Sequence, residues 1–331
     1  MSLLSKDTVK IPIEAQFGAV TIGNFDGVHR GHRAIMAQVR DLADRVGGPA
    51  VVFTFDPPPA RLLRPDEAPE ALTSLARRAE LLSQFGIDHV IVFPTSLELL
   101  QLEPEEFFST IVVNSLKAKA IAEGENFRFG RRRRGDVTLL KQLCYESGIE
   151  FSLLTLQKED GDWISSTRIR AEIEAGNIPA ANRLLVEPYR ISGTVSKGDQ
   201  RGRTIGFPTA NLEAIPMLCP SVGVYWGRVA KLEHMPATDN ASNDNKAPLP
   251  SAVGLPVALN IGPNPTFGIS GYKVEAHIVG FDADIYGATL DIELLGRIRD
   301  VQKFATKDEL IAQLTQDIEK AKAAVASIKL P

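Results

Sequence analysis

The first half of the chain alternates short apolar runs with stretches whose apolar residues recur at helical spacing. Runs rich in β-branched and aromatic residues predict five strands, at residues 17–22, 51–55, 89–93, 118–122 and 150–154. After the first strand, apolar positions from Ile35 to Val46 fall on one helical face, and Gly47-Gly48 then ends the helix. Further helices are predicted at 75–85, 103–115 and 136–146. Such alternation predicts a mostly parallel sheet with helices on both faces.

After about residue 187, glycines, prolines and short strand-like runs dominate the pattern. Predicted strands lie at residues 189–195, 223–232, 257–261, 273–281 and 289–295. Short strands of this kind predict a compact antiparallel β domain, and a barrel is the form we favour. A helical pattern at 307–326 follows, while residues 234–250 have the composition of a mobile surface loop. The change of pattern places a domain boundary between residues 186 and 187.

Composition limits the class of protein. At 331 residues the chain can form two domains with a core each, and 44% apolar with 24% charged residues is typical of a soluble globular protein. A net charge of −4 argues against a nucleic-acid partner, and no apolar segment has the length of a signal peptide core or a membrane span. Only Cys144 and Cys219 are present, which favours a reducing cytoplasm. A weak homo-oligomer is compatible with this composition.

Candidate chemistry is densest at residues 23–33, Gly-Asn-Phe-Asp-Gly-Val-His-Arg-Gly-His-Arg, directly after the first predicted strand. His29 and His32 would share one face of the first helical turn, where free backbone amides attract anions. Each imidazole can donate a hydrogen bond to a phosphate oxygen, whether it is neutral or protonated. Gly23 and Gly31 let the backbone approach a ligand closely. A phosphate site is therefore predicted, and the alternative is a pair of solvent-facing histidines after a glycine turn.

Three further segments of the first half belong with this site. Residues 53–63 contain three prolines that could wall a flat ring, although an ordinary Pro-rich turn is the alternative. Residues 124–136 mix phenylalanines, glycines and four adjacent arginines, which is typical of a ligand loop or of a solvated charge run. Residues 164–170, Ile-Ser-Ser-Thr-Arg-Ile-Arg, predict a helix start with hydroxyl caps and an arginine fork for phosphate. A plain helix cap is the alternative for the last segment.

The second half has its own candidate ligands. Residues 193–211 form a glycine-rich basic loop that could close over phosphates and end in Pro-Thr-Ala-Asn. Thr209 and Asn211 would place two hard oxygen ligands on one side of an extended chain, which suits Mg²⁺ shared with ATP. A turn followed by a strand is the equally simple reading of this segment. Glu275 lies in a strand pattern, where a lone carboxylate more often faces solvent, and His277 is interpreted as structural.

These segments, in this order, resemble one family: the prokaryotic bifunctional riboflavin kinase/FMN adenylyltransferases, also called FAD synthetases. The motifs that carry the resemblance are Gly-Asn-Phe-Asp-Gly-Val-His-Arg-Gly-His, Asn-Phe-Arg-Phe-Gly, Ser-Ser-Thr-Arg-Ile-Arg, Gly-Phe-Pro-Thr-Ala-Asn-Leu and Asn-Ile-Gly-Pro-Asn-Pro-Thr-Phe. The resemblance implies a Rossmann-like α/β nucleotidyltransferase domain with a mostly parallel sheet at residues 1–186. An antiparallel β-barrel riboflavin kinase domain with a C-terminal helix would follow at residues 187–331.

The same resemblance implies the substrates and the site residues. Riboflavin would be phosphorylated to FMN in the C-terminal domain and FMN adenylylated to FAD in the N-terminal domain, with ATP as co-substrate and Mg²⁺ as cofactor. His29, His32 and Glu275 would be catalytic, Thr209 and Asn211 would bind the metal, and Phe55, Pro57 and Phe127 would contact the flavin. The residues expected to bind ATP or its phosphates are Gly23, Phe25, Asp26, Gly31, Asn126, Arg133, Ser165, Ser166, Arg168, Gly202 and Arg203.

Two rival functions remain at this point. The first is an adenylyltransferase of the same superfamily that acts on pantetheine phosphate or a nicotinamide nucleotide, and the β-rich second half argues against it. The second is a flavin-binding carrier without turnover, which predicts damaged reactive positions, whereas the histidines, Arg168, Thr209, Asn211 and Glu275 are all present.

Overall fold

The computed structural model describes residues 11–155, 157–198, 202, 205–234, 249–263 and 272–327. The chain divides into two compact units, Met1–Ser166 and Thr167–Pro331. The predicted loop at 234–250 lies almost entirely outside the described residues, as does Arg203.

The first unit is built on a five-stranded parallel sheet. Its elements in chain order are β1 (Ala19–Ile22), α1 (Arg30–Val46), β2 (Ala50–Asp56), α2 (Pro59–Leu63), α3 (Leu75–Gln84), β3 (His89–Pro94), α4 (Leu97–Gln101), α5 (Pro104–Phe107), β4 (Ala120–Gly124), α6 (Val137–Glu146), β5 (Glu150–Leu154), β6 (Lys158–Glu159) and β7 (Asp162–Trp163). The strand order is β3-β2-β1-β4-β5, and every neighbouring pair is parallel. The predicted parallel sheet is confirmed.

The helix α1 shows why these residues form this unit. Met36, Val39 and Leu42 are fully buried on its inner face, and burial of a side chain of this size stabilises the fold by roughly 2 kcal/mol. The helix ends at Gly47, whose φ of +66° is left-handed and whose N–H bonds to the carbonyl of Ala43. The strand β1 leads through a short loop into the start of α1. The N-terminal end of the helix therefore lies at the carboxyl edge of the sheet, where ligands bind in such folds.

Several predicted boundaries in the first unit are wrong. The strand β1 begins two residues later than predicted because Phe17 has a left-handed φ of +64°. The strand β4 also begins two residues later than predicted, after Lys117 with a φ of +50°. The predicted helix at 103–115 is instead α5 followed by a π-helix over Phe108–Ser115. The helices α2 and α4 and the β6–β7 hairpin were not predicted.

The second unit is a closed antiparallel barrel preceded by two helices. Its elements are α7 (Ser166–Glu174), which begins at the unit boundary, α8 (Ile178–Leu184), β8 (Arg190–Ser196), β9 (Ala210–Glu213), β10 (Gly223–His234), β11 (Pro256–Pro263), β12 (Tyr272–Ile278), β13 (Ala288–Arg299) and α9 (Lys307–Ser327). Around the barrel the order is β10-β11-β12-β9-β8-β13. The predicted barrel and the C-terminal helix are confirmed.

Three features of the second unit differ from the prediction, the first being that β9 was not among the predicted strands. The strand β12 ends at Ile278 rather than at residue 281, because Gly280 turns the chain with a φ of +75°. The helix α8 was not predicted, and it groups with the barrel: the Asn182 side chain donates to the carbonyl of Leu294 and accepts from the N–H of Tyr189. A domain boundary at 186/187 stays a prediction.

Candidate active sites

The two histidines of the phosphate motif cap the start of α1 with their own rings. Nδ1 of His29 accepts the backbone N–H of His32 at 3.2 Å, and Nδ1 of His32 accepts the backbone N–H of His29 at 3.3 Å. The two rings stack with their centroids 3.5 Å apart. Because both Nδ1 atoms accept hydrogen bonds, each neutral ring carries its hydrogen on Nε2. The pair therefore presents two Nε2–H donors.

Burial keeps both rings uncharged. It lowers the pKa of His29 to about 4, against the opposing pull of the Asp26 carboxylate. Burial also lowers the pKa of His32 well below its ordinary value, assisted by the neighbouring His29 and by the charge of Arg78. The sequence left the protonation state open, and the structure assigns the neutral form at pH 7.

The loop before α1 supports the histidines by packing. Phe25 is buried, has a left-handed φ of +48°, and sets its ring edge-on to His32 with 5.1 Å between centroids. A Cβ on Gly23 would lie 3.1 Å from the Phe25 ring, so a larger residue there would press on it. Gly23 and Phe25 were both predicted to bind ATP. In the structure, Phe25 packs against His32, and Gly23 leaves room for the Phe25 ring.

The Asp26 carboxylate is occupied within the protein. It accepts hydrogen bonds from the N–H of Leu72, from the N–H and hydroxyl of Thr73, and from the guanidinium of Arg78 at 3.0 Å. An anionic acceptor so committed is poorly suited to bind phosphate, and we expect Asp26 to act by fixing the loop.

Arg78 was missed by the sequence reasoning. It is 4% exposed and belongs to α3. One signal could have found it: Leu75, Arg78 and Leu82 fall at helical spacing on the same face, so a charged residue occupies an apolar position. A buried cation of this kind needs a partner, which Asp26 supplies.

The serine segment lies against the same helix start. The Ser166 hydroxyl donates to the carbonyl of Asp26 at 2.8 Å. A Cβ on Gly31 would lie 3.1 Å from the His29 ring and 3.8 Å from the carbonyl of Ile164, so this glycine permits a close approach. The structure therefore brings together the histidine pair, Gly31, Asp26 and Ser166. Ser165 directly precedes Ser166 and is half-buried, and Arg168 follows on α7 in the second unit.

A buried carboxylate at the end of β4 was also missed. Glu123 is 3% exposed and accepts hydrogen bonds from the N–H of Ile22 at 2.6 Å and the hydroxyl of Thr21 at 3.3 Å. Burial raises the pKa of Glu123 well above its ordinary value despite these two bonds. The ladder between β1 and β4 ends at Val20 and Ile121, so Glu123 satisfies the amide of Ile22 where the two strands diverge.

The predicted flavin and loop residues lie at or after the ends of two strands, β2 and β4, which flank β1 in the sheet. Asn126 and Arg133 are exposed, and Phe127 stacks on Phe129 with 5.6 Å between centroids. Phe55 packs edge-on against Phe53 near the end of β2, and Pro57 follows that strand. Two other arginines of the run are structural, since Arg131 and Arg134 both bind Glu103. Within the described residues, no hydrogen bond or ring contact joins the predicted loop residues to the histidine pair.

In the barrel, polar side chains form a row across three strands. Glu275 of β12 lies directly opposite Asn211 of β9 on one side and Asn260 of β11 on the other. The Asn260 amide donates to Oε2 of Glu275 at 3.3 Å, and the Lys273 ammonium lies 3.0 Å from Oε1. The predicted metal ligand Asn211 and the predicted base Glu275 are therefore cross-strand neighbours.

Thr209 lies at the wall of a cavity of about 290 Å³. Its other walls include Pro208, Ile278 and Tyr286, so the cavity is partly apolar with polar groups at its margin. His277, which the sequence analysis took as structural, donates from Nδ1 to the carbonyl of Pro208 at 2.8 Å. That bond fixes the segment that carries Thr209.

Gly202 reaches this segment from the preceding loop. A Cβ on Gly202 would lie 2.3 Å from the carbonyl of Phe207 and 3.4 Å from the Thr209 hydroxyl, so only glycine permits the turn. Thr209 and Asn211 are oxygen donors of the kind that Mg²⁺ prefers. Among the described residues, no cluster of three or more His, Cys, Asp or Glu side chains could hold a metal ion by itself.

None of the helices in the part of the chain that the structure describes combines the length and apolar character that a bilayer span requires.

Comparison with known proteins matches the two parts of the chain to two different family models. A family model described as FAD synthetase matches residues 12–168, and one described as riboflavin kinase matches residues 185–325. The chain is 36% identical over 298 residues to the bifunctional riboflavin kinase/FMN adenylyltransferase of Escherichia coli (strain K12), covering 90% of each chain. It is 33% identical over 307 residues to the protein of that name from Pseudomonas fluorescens, covering 92% of each.

A solved structure is similar over nearly the full length. The crystal structure of a protein described as a macrolide-efflux protein from Streptococcus pneumoniae superposes with a TM-score of 0.78 at 30% identity. The match covers 93% of this chain and 94% of that one.

Proposed function

The chain belongs to the family of bifunctional riboflavin kinase/FMN adenylyltransferases, and from that premise we propose which of its residues carry each reaction. Its C-terminal domain phosphorylates riboflavin to FMN, and its N-terminal domain adenylylates FMN to FAD with release of pyrophosphate. The observation that supports the assignment of residues is that several candidate residues lie together in each unit. The histidine pair stands at the start of α1, and the row of Asn211, Glu275 and Asn260 crosses the barrel.

In the adenylyltransferase, we assign the two Nε2–H donors of His29 and His32 to the phosphates of ATP. An FMN phosphate oxygen attacks the α-phosphorus, and the bond to the bridging oxygen breaks as pyrophosphate leaves with the electron pair. No protein nucleophile is needed, so the residues act by positioning the reactants and by stabilising charge. Neutral donors suit this role because they need no change of protonation during the step. The amide of Gly31, in the first turn of the same helix, would complete the phosphate site. The Gly23 amide already donates to the carbonyl of Phe53 at 3.0 Å, so Gly23 would act through its lack of a side chain.

Ser165, Ser166 and Arg168 are proposed to bind the departing pyrophosphate. The Ser166 hydroxyl hydrogen is already donated to the carbonyl of Asp26. The backbone amide of Ser166, at the start of α7, is therefore the donor that this residue has left for a phosphate oxygen.

The flavin of FMN is proposed to lie near the ends of β2 and β4. Phe55, Pro57 and Phe127 supply flat apolar surface there, and Asn126 and Arg133 are exposed donors on the adjoining loop. This group stands apart from the histidine pair, as expected if it binds the acceptor substrate rather than the triphosphate.

In the kinase, ATP is proposed to occupy the cavity beside Thr209, and Gly202 and Arg203 are proposed to bind its phosphates. The ribityl hydroxyl oxygen attacks the γ-phosphorus while Glu275 takes the hydroxyl proton, and ADP leaves. Lys273 and Asn260 hold the two carboxylate oxygens of Glu275 in a fixed orientation. General-base assistance of this kind contributes about 10²–10⁴-fold to a rate.

Magnesium is proposed as the cofactor of this site. Thr209 and Asn211 supply two neutral oxygens, which fits an ion that is bound by one or two protein groups together with nucleotide phosphates. When bound, Mg²⁺ would neutralise charge on the phosphate oxygens.

The cellular setting is proposed from the same observations. Cys144 and Cys219 are both buried thiols and form no disulfide, which suits a reducing cytoplasm. A net charge of −4 supports small-molecule substrates rather than a nucleic-acid partner. A weak homo-oligomer stays a prediction.

The two assignments can be separated by one pair of variants. Glu275→Gln should abolish FMN formation from riboflavin and leave FAD formation from supplied FMN unchanged, because only the kinase loses its proton acceptor. His29→Ala should do the reverse. Flavins separated by chromatography after incubation with ATP and Mg²⁺ give both rates from one preparation. If Glu275→Gln makes FMN at near the parent rate, Glu275 is not the base.

A further inference from the structure

The β6–β7 hairpin lies between the last strand of the sheet and the serine segment. It is closed by the pairing of Lys158 with Trp163, by the N–H of Ile164 bonded to the carbonyl of Gln157 at 3.0 Å, and by the Lys158 ammonium 4.3 Å from the Trp163 ring centroid. Ser165 and Ser166 follow the hairpin directly. Any displacement of the hairpin therefore moves the residues assigned to pyrophosphate.

Contacts at three points tie this region to the start of α1. Two of them lie near the base, where the Ser166 hydroxyl bonds to the Asp26 carbonyl and Gly31 approaches the carbonyl of Ile164. The third reaches the hairpin itself: Arg30 and Glu159 form an ion pair with 2.9 Å between their charged atoms. Their side chains are 38% and 26% exposed, so the pair is only partly screened by water.

The third contact opposes the electrostatic repulsion between the hairpin and a bound triphosphate. Glu159, Asp160 and Asp162 outnumber Lys158, so the hairpin is acidic. A bound triphosphate at the nearby histidines would repel it. Arg30, between His29 and Gly31 in the sequence, supplies a cation that pairs the acidic hairpin with the helix start.

We infer that Arg30 and Glu159 are positioning residues for FAD formation. Their ion pair holds the β6–β7 hairpin against the start of α1. The hairpin in turn sets where Ser165 and Ser166 stand relative to the histidine pair. This inference rests on the proposed assignment of histidines and serines to the triphosphate of ATP.

A double-mutant cycle tests the pair. Glu159→Gln and Arg30→Gln should each raise KM for ATP in FAD formation by about three- to tenfold, with kcat within about twofold, as expected for loss of a partly exposed contact. The combined variant should be no worse than either single variant, because either change already breaks the contact. Arg30→Lys, which keeps the charge, should stay near the parent.

The opposite pattern overturns the inference. If Arg30 contacts phosphate directly, Glu159→Gln will leave KM for ATP unchanged or lower it, since a competing carboxylate has been neutralised, while Arg30→Gln will still raise it. If the combined variant raises KM for ATP by the product of the two single effects, the two residues do not act through one contact. FMN formation by each preparation should be unchanged. A wrong histidine assignment would show separately, as full FAD formation by His29→Ala.

A second readout follows the hairpin without ATP. In a Trp226→Phe background, Trp163 is the remaining tryptophan, and it is 45% exposed. Loosening the hairpin by Glu159→Gln or Arg30→Gln should raise the acrylamide quenching constant of Trp163, whereas Arg30→Lys should not. Identical quenching in all variants would show that the ion pair does not position the hairpin.

Discussion

At the scale of single residues, the histidine pair combines two tasks in each ring. The Nδ1 atoms cap the helix α1, and the Nε2 atoms are left to donate to a ligand. Sequence spacing predicted that His29 and His32 would share one face of the helix start. It could not predict the reciprocal caps, which depend on the ring orientations, or the neutral state, which depends on burial and on Arg78 from the helix α3.

The two tasks of His29 can be separated by substitution. Asparagine is a good N-cap and can replace the Nδ1 acceptor, but it cannot supply a donor at the position of Nε2. We expect His29→Asn to stay within about 1 kcal/mol of the parent free energy of unfolding while FAD formation falls by about 10²-fold or more. His29→Ala should lose FAD formation together with about 1 kcal/mol for the cap. Urea unfolding and flavin chromatography measure the two effects, and an active His29→Asn would contradict the donor assignment.

At the scale of elements, the strands β1 and β2 were predicted well because each is a mainly apolar run that is buried in the sheet. The strand β5 was predicted although it is only partly buried and contains Glu150 and Ser152. The strand β9 is only four residues long, and α8 has seven residues with a proline near its start, so neither has enough residues to show a period. The role of Glu123 was missed for a different reason. A glutamate inside an apolar strand pattern is an anomaly in the sequence, and only the divergence of β1 from β4 explains it.

The buried Glu123 makes stability depend on pH in a predictable direction. Because its pKa is raised in the folded state, the folded chain retains a proton that the unfolded chain loses above the ordinary pKa of 4.5. The stability that Glu123 contributes is therefore present below pH 4.5 and falls as pH rises, by at most about 1.4 kcal/mol per pH unit.

Glu123→Gln removes this titration and keeps an acceptor for Ile22. The variant should match the parent near pH 4 and become progressively more stable than the parent toward pH 8. Urea unfolding at pH 4, 6 and 8 measures the difference. Glu125→Gln, at the exposed neighbouring carboxylate, is the control and should not reproduce the trend. Equal pH dependence in Glu123→Gln and the parent would show that Glu123 is ionised in the folded state.

At the scale of the whole molecule, the chain contains two compact units, a parallel α/β unit and a barrel unit. The sequence predicted both folds, since a change from helical to short-strand patterning is visible near residue 187. It missed that α8 groups with the barrel, because the bonds that show it, from Asn182 to the backbone of β13 and of Tyr189, form only in the folded chain.

The packing of α8 predicts where the barrel can be separated. A fragment that begins at Thr167 should unfold at a higher temperature than one that begins at Glu187, because the shorter fragment loses buried Ile178 and Leu184 and both Asn182 bonds. We expect a difference of at least about 5 °C in Tm, since each kcal/mol shifts Tm by several degrees in a domain of this size. Circular dichroism on heating measures it. Equal Tm values would mean that α8 adds nothing to the barrel.

Each unit also buries one cysteine thiol. Burial and the nearby Glu123 raise the pKa of the Cys144 thiol to about 12, and Cys219 is enclosed in the barrel unit. A maleimide pulse can alkylate either side chain only when its own half opens, and the added mass on the matching peptide identifies which half did so. The rate of alkylation at each cysteine therefore measures how often that unit opens.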